Sequence, residues 1–166
     1  MLGIEKKIII HEVMRVLLQR VSEASVSVEQ KIISRISEGL LVFVAFSDDD
    51  TDKDLEWSIK KIISLRIFDD EKKKMNYSLL NKNGEVLIIS QFTLFANIKK
   101  GNRPSWNQAA SFKKGELLYN KFIEMFSFLY KKENIQTGLF GANMSINLIN
   151  HGPATIFFES IKKVKS

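Results

Sequence analysis

The readable pattern of this chain begins at Arg15. Residues 15–21 have the composition of a strand, and in 24–28 Ala24, Val26 and Val28 alternate with Ser25 and Ser27. A period of two predicts half-buried strands, and the two runs together predict a hairpin-like start. Ile32 to Ile36 alternates again. Leu40 to Phe46 is apolar at every position, as in a strand buried on both faces. Four strands are therefore expected in the first third of the chain.

The period changes after Asp48-Asp49-Asp50. Thr51 followed by Asp54 has capping-box spacing, and acidic residues suit the positive end of a helix dipole. Leu55, Ile59, Ile62, Ile63 and Ile67 then recur at helical spacing, which predicts a helix with one face on a sheet. Capping accounts for the aspartates, so they are not read as a metal site. Residues 72–83 are polar, with Met75, Tyr77, Leu79 and Leu80 as expected anchors, and Asn83-Gly84 is a turn signal. Glu85 to Ala96 reads as another buried strand, and Asn97 to Phe112 as a polar loop carrying Lys99, Lys100, Gly101, Arg103, Pro104 and Trp106. A second helix is expected over Gly115 to Lys132, with Leu118, Phe122, Met125, Phe126 and Leu129 on one stripe. That stripe is core packing. Thr137-Gly138 and Gly141 mark turns, Met144, Ile146 and Leu148 alternate in a half-buried strand, and Ile156 to Glu159 is the last strand. The fold class is α/β: a single sheet-rich domain with two amphipathic helices packed on mixed β-sheets.

Composition adds bounds. The 166 residues suit one domain, and 45% hydrophobic with 27% charged residues is ordinary for a soluble globular protein. There is no cysteine and there are two histidines, which leaves no disulfide framework, no thiolate chemistry and no usual structural zinc set. Neither a metal nor a cofactor is expected. The net charge of +6 favours an anionic partner such as RNA. Residues 1–13 hold the run Ile8-Ile9-Ile10, too short for a signal-peptide core, and no stretch approaches a membrane span. A cytoplasmic protein with no membrane partner is expected. The cleaner strand pattern starts after Met14, so 1–13 is read as an N-terminal extension and 14–166 as the domain.

Two segments break local rules. Ser90-Gln91-Phe92-Thr93-Leu94 places two hydroxyls and an amide in an apolar strand-like run, and buried polar groups cost free energy unless satisfied. As a strand it would put Gln91 and Thr93 on one face and Ser90, Phe92 and Leu94 on the other. Asn150-His151-Gly152-Pro153-Ala154-Thr155 sets one of only two prolines at the junction of two strand-like runs. A Ser or Thr nucleophile needs a base, and only His11 and His151 titrate near neutrality. His151 could pair with Ser90 or Thr93, but no third group is evident to orient it.

These segments, with Lys99-Lys100-Gly101-Asn102-Arg103-Pro104-Ser105 between them, resemble the D-aminoacyl-tRNA deacylases, once called D-tyrosyl-tRNA deacylases. Met14-Arg15-Val16 with Gln19-Arg20-Val21, Leu65-Arg66-Ile67-Phe68 and Phe140-Gly141-Ala142-Asn143-Met144 extend the resemblance over nearly the whole chain from Met14. It implies a three-layer fold and a homodimeric editing enzyme that hydrolyses the ester of D-aminoacyl-tRNA, with no role for DNA. Water would be activated by the tRNA 2′-hydroxyl. By the same resemblance Ser90, Gln91, Phe92 and Thr93 form the catalytic segment and Gly152-Pro153 a Gly-cis-Pro chiral filter inserted across the dimer. Arg20 would brace that filter, and Phe140 and Met144 would bind the tRNA 3′ end. The alternative is a non-catalytic tRNA-binding or synthetase-editing-like module on the same fold. Two departures stand out: Ala154 replaces a bulkier residue, and the family chain begins at the position of Met14.

Overall fold

The computed structural model describes residues 13–160. The Ile8-Ile9-Ile10 run, His11 and all of the extension but Val13 lie outside them, as do residues 161–166.

The central element is β1, Arg15–Val28, a single 14-residue strand. The sequence pattern predicted two strands here. Ser22-Glu23 offers no Gly, Pro, Asn or Asp to turn the chain, and β8 (Met144–Glu159) runs antiparallel along both halves of β1, so the backbone stays paired. The irregularity is absorbed as register shifts between Gln19 and Val21 and between Val21 and Glu23. The first third thus holds three strands, not four. On its other side β1 pairs with β3 (Gly39–Ala45) over residues 15–21 and with β2 (Lys31–Ile36) over residues 24–28. Parallel pairing then adds β6 (Glu85–Ser90) to β3 and β7 (Ile135–Thr137) to β6, which completes a six-stranded mixed sheet.

The unbroken apolar run of β3 has the expected cause. Leu40, Val42 and Val44, with Val86 and Ile88 of β6, face the helices α1 (Asp52–Ser64) and α3 (Phe112–Leu129). Leu41, Leu87 and Ile89 face the opposite way, against Val21, Ala24, Val26 and Ile36. One pair of strands therefore separates two cores. Helices cover one face, and the far half of the bent β1–β2–β8 ribbon covers the other. Ser34 of β2 ties that ribbon to the end of β7 by donating to the Thr137 carbonyl at 2.7 Å.

Helix α1 starts at the expected capping box, with the Thr51 N–H donating to Asp54 Oδ2 at 2.9 Å. It stops at Ser64, so Ile67 is buried from the segment beyond the helix and not from its stripe. Helix α3 begins three residues before the expected Gly115. Between α1 and β6 lie a small hairpin, β4 (Phe68–Asp69) with β5 (Met75–Tyr77), and the one-turn α2 (Leu79–Lys82). Two expected anchors here are exposed: Met75 at 45% and Leu80 at 50%. The hairpin is a separate two-stranded sheet, and a one-turn helix can bury only the Leu79 side of its surface. Asn83 caps α2 in the left-handed region at φ 52°.

Candidate active site

The expectation of a strand through Ala96 fails at Ser90. The neighbouring β3 ends at Ala45, and the Gln91 N–H makes the last cross-strand bond, to the Val44 carbonyl at 2.8 Å. With no further partner, Phe92–Phe95 turns into a 3₁₀ helix, in which the Leu94 N–H donates to the Gln91 carbonyl. The two-face alternation expected for residues 90–94 is thereby lost. Arg15 pins the turn from outside: Nη1 donates to the Leu94 carbonyl at 3.0 Å, and the guanidinium lies 4.5 Å from the Phe95 ring centroid.

A cavity of about 540 Å³ opens at this end of the β3–β6 pair. Val44, Ala45 and Phe46 form one side, and Ser90, Gln91 and Phe92 another. The loop before α3 contributes Trp106, Ala109, Ala110, Ser111 and Phe112, and the turn before β8 contributes Phe140 to Met144. Carboxyl ends of parallel strands are where such sheets leave room for ligands. The loop is held in place by the Ala110 N–H, which donates to the Phe46 carbonyl at 2.7 Å. Phe140 stands between Phe112 and Tyr119, with ring centroids 5.3 and 5.6 Å away. Its ring lies 3.4 Å from where a Cβ on Gly115 would sit, so the small residue lets the ring close on the helix.

Among the described residues that line the cavity, none is an acid, a histidine, a lysine or an arginine. Its side-chain polar groups are those of Ser90, Gln91, Ser111 and Asn143, with the indole N–H of Trp106. Gln91 Nε2 donates to Thr93 Oγ1, which leaves the threonine proton free to donate elsewhere. Tyr119 beneath the wall donates to the Ile88 carbonyl at 2.8 Å, and burial pushes its phenol pKa up, so it remains neutral. The geometry can bind a flat, largely apolar group and hydrogen-bond a polar end. It provides no protein base.

The structure brings Ser90, Gln91, Phe92, Phe140 and Met144 into one cavity, and Thr93 touches it through Gln91. Gly152, Pro153 and Arg20 are not among the lining residues. The Gly152–Pro153 peptide is cis, and both residues are exposed on a bulge of β8. Gln19 pairs with Thr155 and Val21 with Asn150, so the four residues 151–154 of β8 lie opposite Arg20 alone. The proline is therefore not a turn between two strands, because β8 is paired with β1 on both sides of it. Arg20 is 2% exposed and has four acceptors. Nε donates to the His151 carbonyl at 3.0 Å and Nη2 to the Gly152 carbonyl at 2.8 Å. Nη1 reaches the Ile67 carbonyl at 2.7 Å and Asp69 Oδ1 at 3.3 Å. His151 itself is exposed and does not line the cavity.

Sequence reasoning left Ser111, Phe112 and Asn143 out of the site, and treated Trp106 as a loop residue. The available signal was the small pair Ala109-Ala110 between two aromatics, a pattern that leaves room beside large rings.

A buried carboxylate lies behind the site. Asp50 accepts the Met14 N–H and the Ser47 N–H, each at 2.7 Å. Burial, with Asp54 adding to it, outweighs these bonds and pushes the Asp50 pKa up to about 7.

The family model for D-Tyr-tRNA(Tyr) deacylase matches residues 17–159. A D-aminoacyl-tRNA deacylase of Sulfurihydrogenibium sp. (strain YO3AOP1) is 49% identical over 143 residues, covering 86% of this chain and 95% of that protein. One from Thermotoga petrophila is 48% identical over 149 residues, covering 90% and 99%. A solved structure titled c-Myc DNA Unwinding Element Binding Protein superposes with a TM-score of 0.84 at 40% identity, covering 89% of this chain and 99% of that one. A probable eukaryotic D-amino acid tRNA deacylase, at 21% identity and a TM-score of 0.76, shares the fold.

Proposed function

Since the chain belongs to the D-Tyr-tRNA(Tyr) deacylase family, we propose that it hydrolyses the ester of D-aminoacyl-tRNA, releasing the D-amino acid and free tRNA. The observation that carries the mechanism is the cavity with polar atoms but no titratable side chain among the described residues. Ester hydrolysis needs an activated water and a stabilised oxyanion. With no protein base at hand, activation of the water is assigned to the 2′-hydroxyl of the substrate's own terminal ribose, which takes the water's proton as it passes its own to the departing 3′ oxygen. The hydroxyls of Ser90 and Thr93, the Gln91 amide and the backbone of the 90–93 segment position the ester. The Phe140 and Met144 walls take the terminal adenosine. No cofactor or metal is invoked.

Gly152 and Pro153 are assigned the discrimination of hand. Their exposure, and their absence from the cavity of their own chain, support insertion into the cavity of a second copy. Ile149 at 56% and Phe157 at 52% exposure leave apolar surface on the same strand for that contact. Arg20 holds two successive carbonyls, and proline fixes its own φ, so the inserted backbone is rigid. A rigid backbone facing the α-carbon excludes one enantiomer by clash. As an editing enzyme the protein would act in the cytoplasm. Among the described residues, no helix is long and apolar enough to cross a membrane.

The test compares D-Tyr-tRNA and L-Tyr-tRNA hydrolysis by the wild type and by Pro153→Ala. The wild type is expected to cleave only the D ester, and the variant to lose part of that preference. Equal rates on both hands by the wild type would refute chiral proofreading. Binding of tRNA without hydrolysis would leave only a binding module.

A further inference from the structure

Two large aromatic side chains stand half in water at the mouth of the cavity. Phe92, on the 3₁₀ turn, is 52% exposed, and Trp106, at the end of the following loop, is 40% exposed. Their ring centroids are 5.3 Å apart at an interplanar angle of 81°. In an edge-to-face pair each ring keeps a face that its partner does not cover, so a flat group can still stack there.

The loop between the rings is closed at its base. Asn97 donates to the Ser105 carbonyl at 2.6 Å, and Ser105 donates back at 3.1 Å. Lys99, Lys100 and Arg103 project from it, all exposed. None of these three is in an ion pair among the described residues. Aromatic faces beside unpaired cations suit single-stranded nucleic acid, with rings stacking on unpaired bases and cations following the phosphates. A paired duplex offers no free base face to such a platform.

We propose that Phe92, Trp106 and the 97–105 loop form a second nucleotide subsite. It takes the base and phosphate that precede the terminal adenosine in the single-stranded 3′ end of the substrate. This rests on the assignment of the cavity to that adenosine. The subsite lies at the cavity mouth, so a strand whose last nucleoside is inside must leave past these two rings.

The test uses two substrates, D-Tyr-tRNA and D-tyrosyl-adenosine, which lacks every nucleotide before the last. Trp106→Ala is expected to lower the preference for the tRNA over the nucleoside ester, as a ratio of kcat/KM, by about tenfold and chiefly through KM. Trp106→Phe should restore most of it. Exchanging Lys99 and Lys100 together for alanine should reduce the salt dependence of KM on tRNA but not on the nucleoside. An unchanged preference in Trp106→Ala, or an equal loss on both substrates, overturns the subsite. Should Trp106→Ala fail to fold, the lysine pair decides on the same two criteria. If the wild type cleaves neither substrate, the deacylase assignment is wrong, and binding then judges the subsite. Trp106→Ala must weaken binding of a trinucleotide RNA about tenfold, and unchanged affinity refutes it.

Discussion

Asp50 and Arg20 show how much one buried charged residue can organise. Asp50 joins the start of β1 to the loop after β3 through the Met14 and Ser47 N–H groups. Its pKa is raised from 3.8 to about 7, so the folded state holds a proton that the unfolded chain releases. Between about pH 4 and 7 the native state thus binds more protons, and stability falls as pH rises through that window. Asp50→Asn, which cannot ionise, is expected to flatten the decline in melting temperature between pH 5 and pH 8. A slope unchanged by the substitution would show that other groups set it. For Arg20 the planar fork matters more than the charge, since it bridges the His151 and Gly152 carbonyls while two further acceptors hold its other side. A lysine has one nitrogen with three donors and cannot replace three guanidinium nitrogens that reach four acceptors. Arg20→Lys is expected to remain folded but cleave L-Tyr-tRNA faster relative to D-Tyr-tRNA, and an unchanged ratio would separate Arg20 from the filter.

Among the elements, those decided by near neighbours in sequence were the easiest to foresee. The α1 capping box is made by residues three apart, and the stripe from Leu55 to Ile63 needs only helical periodicity. Thr51→Ala should cost about 1 kcal/mol, seen as a fall in melting temperature of a few degrees without loss of the fold. An unchanged melting temperature would mean that Asp54, which also accepts the Ser160 hydroxyl, anchors the helix start unaided. The elements that were misjudged depend on distant partners. Nothing within 85–96 says that β3 ends at Ala45, yet that ending turns Phe92–Phe95 into a 3₁₀ helix. Nothing near Ser22 says that β8 spans the irregularity in β1 and keeps it one strand. The bulge at Gly152-Pro153 is likewise set by its pairing with β1.

In the whole molecule, one mixed sheet separates two apolar cores and leaves a cavity at the end of its parallel strands. Val13 is 6% exposed and Met14 is fully buried, so the described core takes in the last residue of the extension. The two relatives compared match over 143 and 149 residues while being covered over 95% and 99% of their own lengths. Removing residues 1–13 is therefore expected to preserve folding and deacylation, at the cost of one buried valine, about 2 kcal/mol at most. Met14 would then carry a free amine beside Asp50, and the pH slope assigned to that carboxylate should shrink with it. Loss of deacylation in the truncated protein would show that the extension serves the site.

The two long helices, the double-sided burial of β3 and the α1 cap were legible in the sequence alone, because periodicity and capping act over a few residues. Its motifs also named five of the eighteen cavity-lining residues, Ser90, Gln91, Phe92, Phe140 and Met144. Only the tertiary structure decided that these five share one cavity and that Ser111, Phe112 and Asn143 join them. It also set Arg20 beneath the Gly152 carbonyl and left Gly152-Pro153 outside the cavity of its own chain. Those relations join residues about 20 to 130 positions apart, and chain pairing and packing fix them, not any local pattern.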